Sequence, residues 1–364
     1  MTMTTNDSAD LLAVRELADD ILRSGTESML DVQSVGLDYQ PGLWQTLTDS
    51  GLTLLTTPES RGGTGAGLGE LAVVLESTGY HAAPVPLAEH DLLASWLLGV
   101  ADLSDVAVDA APLTAAVTDQ PLRAGRLTAS IDPVPWTNAA ESVVVGGDGF
   151  VAVVPLARST IEARVDIAGQ PSARIDVDVA LEPGQFRLID HDVAGEFRLR
   201  GALARSLQTC GALTRALELA CEHAQHREQF GRPIAKFQAV QALIANAASS
   251  VALAKTAAEF ATGIVVAYGF DSPHGRFAVA VAKIEASRAA TLVARNAHQV
   301  HGAIGFTLDH RLRHFTSRAL AWRAEFGGQR EWQQLLGELA LESPDGVWAL
   351  VTRMSEAMVA PSAI

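Results

Sequence analysis

Apolar residues recur at three- and four-residue intervals through Ala9–Arg23, Pro41–Ser50, Leu68–Gly79 and Leu87–Val100, so each stretch can turn one face inward as a helix. From about Pro112 to Arg198 the rhythm changes. Val, Ile and Thr gather in short runs, Leu113–Thr118, Glu141–Val145, Gly149–Pro155 and Gln185–Ile189, broken by turns such as Gly146-Gly147-Asp148-Gly149. That pattern predicts an antiparallel barrel or sandwich. Past Gly201 helical spacing returns over Ala204–His226, Lys236–Tyr268, Arg276–Ala303 and about Glu331–Leu341, the first three long enough for a bundle. The stripes Leu213, Leu217, Ala220 and Val251, Ala254, Ala258, Val265 are expected core. The chain is therefore predicted to be α+β and multidomain, divided at residues 1–110, 111–198 and 199–364.

Composition sharpens this picture. With 48% apolar, 19% charged and 5% aromatic residues over 364 positions, the core must be built mainly of Ala, Leu and Val in closely packed helices. The formal charge of −15 argues against nucleic acid or an anionic membrane as partner, since both need a basic surface. No apolar segment reaches spanning length uninterrupted, and the N-terminus lacks the basic-then-apolar pattern of a secretory signal, so a soluble, cytoplasmic protein without membrane insertion is expected. Cys210 and Cys221 lie about three helical turns apart, too far for a disulfide, which fits a reducing compartment.

The glycine-rich stretch Thr56-Thr57-Pro58-Glu59-Ser60-Arg61-Gly62-Gly63-Thr64-Gly65-Ala66-Gly67 tempts a phosphate-loop reading. No clear strand precedes it and no Lys-Ser/Thr follows, so it is expected to be a mobile connection between helices. A more informative stretch is Arg227-Glu228-Gln229-Phe230-Gly231-Arg232-Pro233-Ile234, followed by Phe237-Gln238-Ala239-Val240-Gln241. Gly231 can adopt the left-handed conformation and Pro233 cannot continue a helix, so one long helix must end here and another begin.

This stretch resembles the signature of the flavin-dependent acyl-CoA dehydrogenases, and further segments extend the resemblance along nearly the whole chain. Pro58-Glu59-Ser60-Arg61-Gly62-Gly63 is similar to the family's N-terminal Pro-Glu-(two residues)-Gly-Gly turn. Pro135-Trp136-Thr137-Asn138 resembles its aromatic-Thr segment beside the flavin ring. Gln299-Val300-His301-Gly302-Ala303-Ile304-Gly305-Phe306 resembles its Gln-(two residues)-Gly-Gly-(one residue)-Gly-Phe motif, with Ala303 replacing the second Gly. The resemblance implies an N-terminal helical domain, a central antiparallel β-barrel and a C-terminal four-helix bundle. It implies FAD as cofactor, with Arg227, Gln229, Phe230, Phe237, Gln299, Gly302, Trp136 and Thr137 as contacts, the Arg227 hairpin reaching a neighbouring subunit's flavin. Acyl-CoA is the implied substrate. The implied partners are further copies or a related subunit, and an electron-accepting flavoprotein.

Two departures bear on activity. The family's Thr-Glu motif with its Gly-Ser-Asp loop is missing, because Val117-Thr118-Asp119-Gln120-Pro121 runs almost directly into Leu122. The family's catalytic Glu, about twenty residues beyond the Gly-Phe, falls at Phe326 in this chain, with Glu325 one residue early. Glu325 is the best candidate base, ahead of Asp309 and Glu331. Three functions are thus carried forward: an FAD-dependent α,β-dehydrogenase of acyl-CoA thioesters, a half-site subunit completing a partner's flavin site, or a flavin-free acyl-CoA-binding or scaffolding protein. His301, His310 and His314 invite a metal reading, the last two spaced to share an ion on one helix, but no Glu follows the first of that pair and no third ligand is evident, so exposed or capping histidines are expected. The basic run 309–318 is read as a phosphate contact or as solvated helix charge.

Overall fold

The structure, a computed structural model, describes residues 5–103, 111–190 and 192–344, together with 346, 348, 351 and 352. The helices are α1 (Thr5–Thr26), α2 (Pro41–Asp49), α3 (Leu68–Tyr80), α4 (Trp96–Val100), α5 (Ala194–His226), α6 (Gln238–Tyr268), α7 (Pro273–His301), α8 (Leu312–Trp322) and α9 (Gln329–Glu342). The strands are β1 (Thr114–Val117), β2 (Arg126–Pro135), β3 (Ser142–Gly147), β4 (Phe150–Pro155), β5 (Ser159–Val165), β6 (Pro171–Ala180), β7 (Phe186–Leu188), β8 (Glu228–Gln229) and β9 (Arg232–Pro233). Packing gathers the described residues into two compact units. One is drawn from Met1–Val35, Ala72–Ala83 and Ala202–Ile364, the other from Gly36–Leu71 and Pro84–Gly201.

In the second unit the strands form two sheets, one ordered β1-β3-β4-β7 and one ordered β2-β6-β5, rather than the closed barrel expected from the resemblance. Their inner faces share one core, with Leu127, Ile131, Ala173, Ile175 and Val177 from one sheet and Val143, Val145, Phe150, Ala152 and Val154 from the other. β1 pairs with β3 in parallel, the remaining named pairs being antiparallel. Neither β2, β5 nor β6 was expected from the run lengths. In β2 and β6 the inward set includes short Ala129 and Ala173 and the outward set is charged, so apolar clustering is weak although burial alternates strictly over much of both.

A π-helical segment, Ala88–Ser95, precedes α4 and is buried at all eight positions. Asp91 within it accepts from the Thr56 backbone N–H at 3.0 Å and from Thr56 Oγ1 at 2.8 Å, which holds the start of the glycine-rich stretch. Burial pushes the Asp91 carboxyl up to about 6, and burial pushes the neighbouring His90 down to about 3.

α5 begins ten residues before the predicted Ala204, because Asp192 Oδ1 accepts from the Ala194 N–H at 2.8 Å and Gly201 does not break the helix. α3 and α5 approach closely through glycine. A Cβ placed on Gly79 would lie 1.9 Å from the Gln208 carbonyl oxygen, and one on Gly211 would lie 1.9 Å from that of Glu76. Glu76 then ties three helices, receiving Arg15 at 2.8 Å and Lys255 at 2.5 Å. α7 starts at Ser272, whose hydroxyl accepts from the Gly275 N–H at 2.9 Å, with Pro273 at the first helical position. Among the described residues α6 is the one helix long and apolar enough to cross a membrane, and 44% of its most apolar window is buried within the protein.

Candidate functional site

α5 ends at His226, and the chain turns through a miniature ribbon in which Gln229 pairs with Arg232. The two turn residues, Phe230 and Gly231, both have positive φ, 56° and 79°. That is the geometry of a tight two-residue hairpin turn, which glycine accepts freely and phenylalanine only under strain. The turn expected to join two helices is thus a β-ribbon. Its apex presents Phe230, 91% exposed, with Arg227 and Gln229 exposed beside it. Phe237 stands at the ribbon's other end, 6.1 Å from Phe230 between ring centroids, and the Arg232 guanidinium lies 4.3 Å from its centroid. An apolar ring held at a strained apex in water gains nothing for the protomer's own fold.

The end of α7 lies against the base of this ribbon. His223, in the last turn of α5, stacks on His301 with centroids 4.6 Å apart, and His301 meets His310 edge-on at 4.5 Å. Gln299 is exposed, and Gly302 takes φ 65° where the helix stops, with open space around it. Gly305 is buried instead, and a Cβ there would come within 2.8 Å of that of His301. Arg227, Gln229, Phe230, Phe237, Gln299 and Gly302 are thereby gathered at one end of the unit, where the Arg227 and Gln229 side chains and Gln299 are open to a polar ligand. Trp136 and Thr137 belong to the other unit. Trp136 is 3% exposed with φ 57°, and its N–H donates to the Pro171 carbonyl at 3.0 Å, while Thr137 is half-buried.

Glu325 lies in the turn between α8 and α9, where Phe326 and Gly327 both have positive φ. It accepts from Arg205 Nε through Oε2 at 2.8 Å. Arg205 is 4% exposed, donates also to Gln208 at 2.6 Å, and lies 5.8 Å from the ring centroids of both Trp322 and Phe326. Gln208 in turn donates to Thr78 at 3.2 Å. The weaker base candidates are engaged elsewhere: Asp309 accepts from Gln33, and Glu331 accepts from the Gly328 N–H at 2.9 Å as a helix cap. Arg205 was not singled out from the sequence. Its signal was present, an arginine amid Leu203, Ala204 and Leu207 on a stripe that has to be buried.

The histidines divide: His310 caps α8 as expected, its Nδ1 accepting from the Leu312 N–H at 3.1 Å, whereas the expectations for His314 and for the basic run are corrected. His310 precedes α8 rather than sharing it with His314, and His314 is buried at 3% exposure. Burial, reinforced by His301, His223, Arg311 and Arg313, drives His310 down to about 4. Burial, reinforced mainly by Arg313 and Arg318, drives His314 down to about 3. Arg311 spans Glu27 at 2.7 Å and Asp31 at 2.8 Å, and Arg313 donates to the Ser34 and Val32 carbonyls at 3.1 and 2.5 Å. The basic run is consumed in tying α8 to the segment after α1, so these two arginines are neither solvated helix charge nor an open phosphate site.

Residues 193–337 match the profile of the acyl-CoA dehydrogenase C-terminal domain. The chain is 29% identical over 299 residues to acyl-CoA dehydrogenase IpdE2 of Mycolicibacterium smegmatis, covering 81% of this chain and 86% of that protein. It is 27% identical to acyl-CoA dehydrogenase FadE27 of Mycobacterium tuberculosis, covering 94% of this chain and all of that one. A chain from the ChsE4–ChsE5 complex of Mycobacterium tuberculosis superposes with a TM-score of 0.81 at 25% identity, over 94% of this chain and 99% of that chain. Residues 193–337 thus match the C-terminal domain of the acyl-CoA dehydrogenases, and the chain is similar to members of that family over most of its length, in sequence and in fold.

Proposed function

We propose that this chain is a cytoplasmic subunit of an oligomeric, FAD-dependent acyl-CoA dehydrogenase, whose Arg227–Phe230 hairpin closes over the flavin of a neighbouring subunit. One observation carries the reading. Arg205, which holds the candidate base, and His226, where the hairpin begins, stand at opposite parts of α5, 21 residues and roughly 30 Å apart. A flavin ring at Glu325 is out of reach of Phe230 in the same protomer, so the exposed hairpin serves another chain.

The residues fit the cofactor. Arg227 offers a charge to a pyrophosphate, Phe230 and Phe237 offer faces for stacking, and Gln299 with the open Gly302 backbone offers polar contacts on the adenine side. Trp136 and Thr137 are assigned to the ring side. Held by these residues, FAD would supply the hydride acceptor for the β-carbon of the thioester, and an acceptor flavoprotein would take the electrons onward. Glu325 removes the α-proton with its carboxylate, while the Arg205 hydrogen bond to Oε2 orients the group.

A second reading, a half-site subunit of a heteromer, is favoured by that same ion pair and by the short Thr118–Pro121 turn, which leaves out the family's flavin loop. The two-component complex named for the structural neighbour is in keeping with it. Purifying the chain alone and recording its visible spectrum separates these. Bound yellow flavin that bleaches on adding acyl-CoA supports a self-sufficient enzyme. Flavin appearing only with a related partner chain supports the half-site reading, and no flavin in either case refutes both.

A further inference from the structure

β5 is the edge of its sheet, and its residues from Thr160 to Val165 are exposed on both faces. Its pattern is chemically palindromic. Reading outward from Ala163, Glu162 faces Arg164 in mirror position and Ile161 faces Val165. Ile161 and Val165 lie on the same face as the buried Ile175 and Ala173 of β6, yet are 41% and 68% exposed, beyond the margin of the core.

The backbone agrees with this symmetry. The Asp166 N–H donates to the Gln170 carbonyl, so Asp166 and Gln170 form a hydrogen-bonded pair. Such pairs alternate in an antiparallel ladder, which directs the amides of Arg164, Glu162 and Thr160 toward β6. Pro171, opposite Val165, has no N–H to offer, in keeping with this register. The N–H and C=O groups of Ile161, Ala163 and Val165 therefore point away from the sheet. Those are the groups that an antiparallel partner centred on Ala163 needs.

We propose that β5 pairs with β5 of a second copy of this chain about a two-fold axis at Ala163, joining the two three-stranded sheets into one of six. Glu162 of each copy then faces Arg164 of the other, Ile161 covers Val165, and the outward amides are satisfied. Within one protomer Arg164 bridges Glu162 at 3.0 Å and Asp132 at 2.7 Å, so the pairing exchanges the first of these contacts for its mate across the axis; an unrelated edge strand would satisfy the amides without presenting the complementary charges, which is why a second copy is the occupant. The pairing is independent of the flavin reading, since it uses none of the residues assigned to the cofactor or base.

Cysteine scanning tests the register. In a hydrogen-bonded pair the two Ala163 Cα atoms stand about 5.5 Å apart, within disulfide range. Residue 161 and its symmetry mate are displaced by about 13 Å along the strands. Under mild oxidation the full-length Ala163→Cys variant should form a covalent dimer on a non-reducing gel, while Ile161→Cys and the unsubstituted protein do not. Glu162→Arg or Arg164→Glu alone should weaken the self-association at this edge at least tenfold by light-scattering mass against concentration. The double variant Glu162→Arg/Arg164→Glu, which restores opposite charges, should recover it. Absence of the Ala163→Cys cross-link in folded protein, equal cross-linking of Ile161→Cys, or failure of the double variant to recover overturns the proposal.

Discussion

Two parts of one helix carry opposite kinds of residue. Near its start, α5 holds Arg205 at 4% exposure, its guanidinium shared between Glu325 and Gln208. At its far end the chain lifts Phe230 to 91% exposure on a strained turn. The first region is saturated by its own protomer. The second is folded for something outside it, because leaving a phenylalanine in water at positive φ forgoes both burial and backbone relaxation.

That contrast can be broken in four ways, beginning with the largest expected effect. Glu325→Gln should abolish substrate-dependent flavin bleaching, by on the order of 100-fold or more in rate, while flavin content is unchanged. Unchanged bleaching would remove Glu325 from the reaction. Next comes acid stability. His310 and His314 are held at about 4 and 3 in the folded state against the usual value near 6.5, so the folded protein binds fewer protons than the unfolded chain. Stability should therefore fall as pH drops from about 6.5 toward 4, with the more deeply buried His314 contributing more than the half-buried His310. Asp91 has the opposite sign, its raised carboxyl adding stability below about 6 that is lost as pH rises through that value. Denaturant midpoints measured from pH 7 to 4 should decline less steeply in His314→Gln than in the unsubstituted protein.

Arg205→Met should cost about 2–3 kcal/mol of unfolding free energy, less than a fully buried pair because Glu325 is 31% exposed. An unchanged midpoint would show that the ion pair is not structural. The smallest effect on stability belongs to the hairpin. Phe230→Gly should leave the midpoint within about 0.5 kcal/mol, since relief of the positive φ offsets the added freedom of the unfolded chain. Its flavin retention should nonetheless drop when the oligomer is passed through gel filtration. Loss of stability with full flavin retention would reverse the roles assigned to the two regions.

The same contrast explains what was legible in advance. The hairpin was visible because its information is local, a run of consecutive residues with Gly231 and Pro233 limiting the backbone. Glu325 was visible only by its distance from Phe306, and its partner Arg205 lies 120 residues earlier in the chain. No spacing links those two positions. His314 was expected at the surface because a histidine has no fixed place on the hydrophobic scale, and its burial depends on which elements close over it. The basic run was open for a similar reason, since Glu27 and Asp31 could not be matched to Arg311 before α1 and α8 were seen to meet.

Helix periods, the break at Gly231 and Pro233 and the family motifs are properties of neighbouring residues, governed by backbone sterics and side-chain spacing within a few turns, and so they could be read along the chain. The division of the β segment into two sheets, the saturation of Arg205 and the outward amides of β5 depend on pairings between distant residues. Burial and hydrogen bonding decide among such pairings only when the whole chain has folded, and it is these long-range choices that separate the buried Arg205 of α5 from the exposed hairpin that follows it.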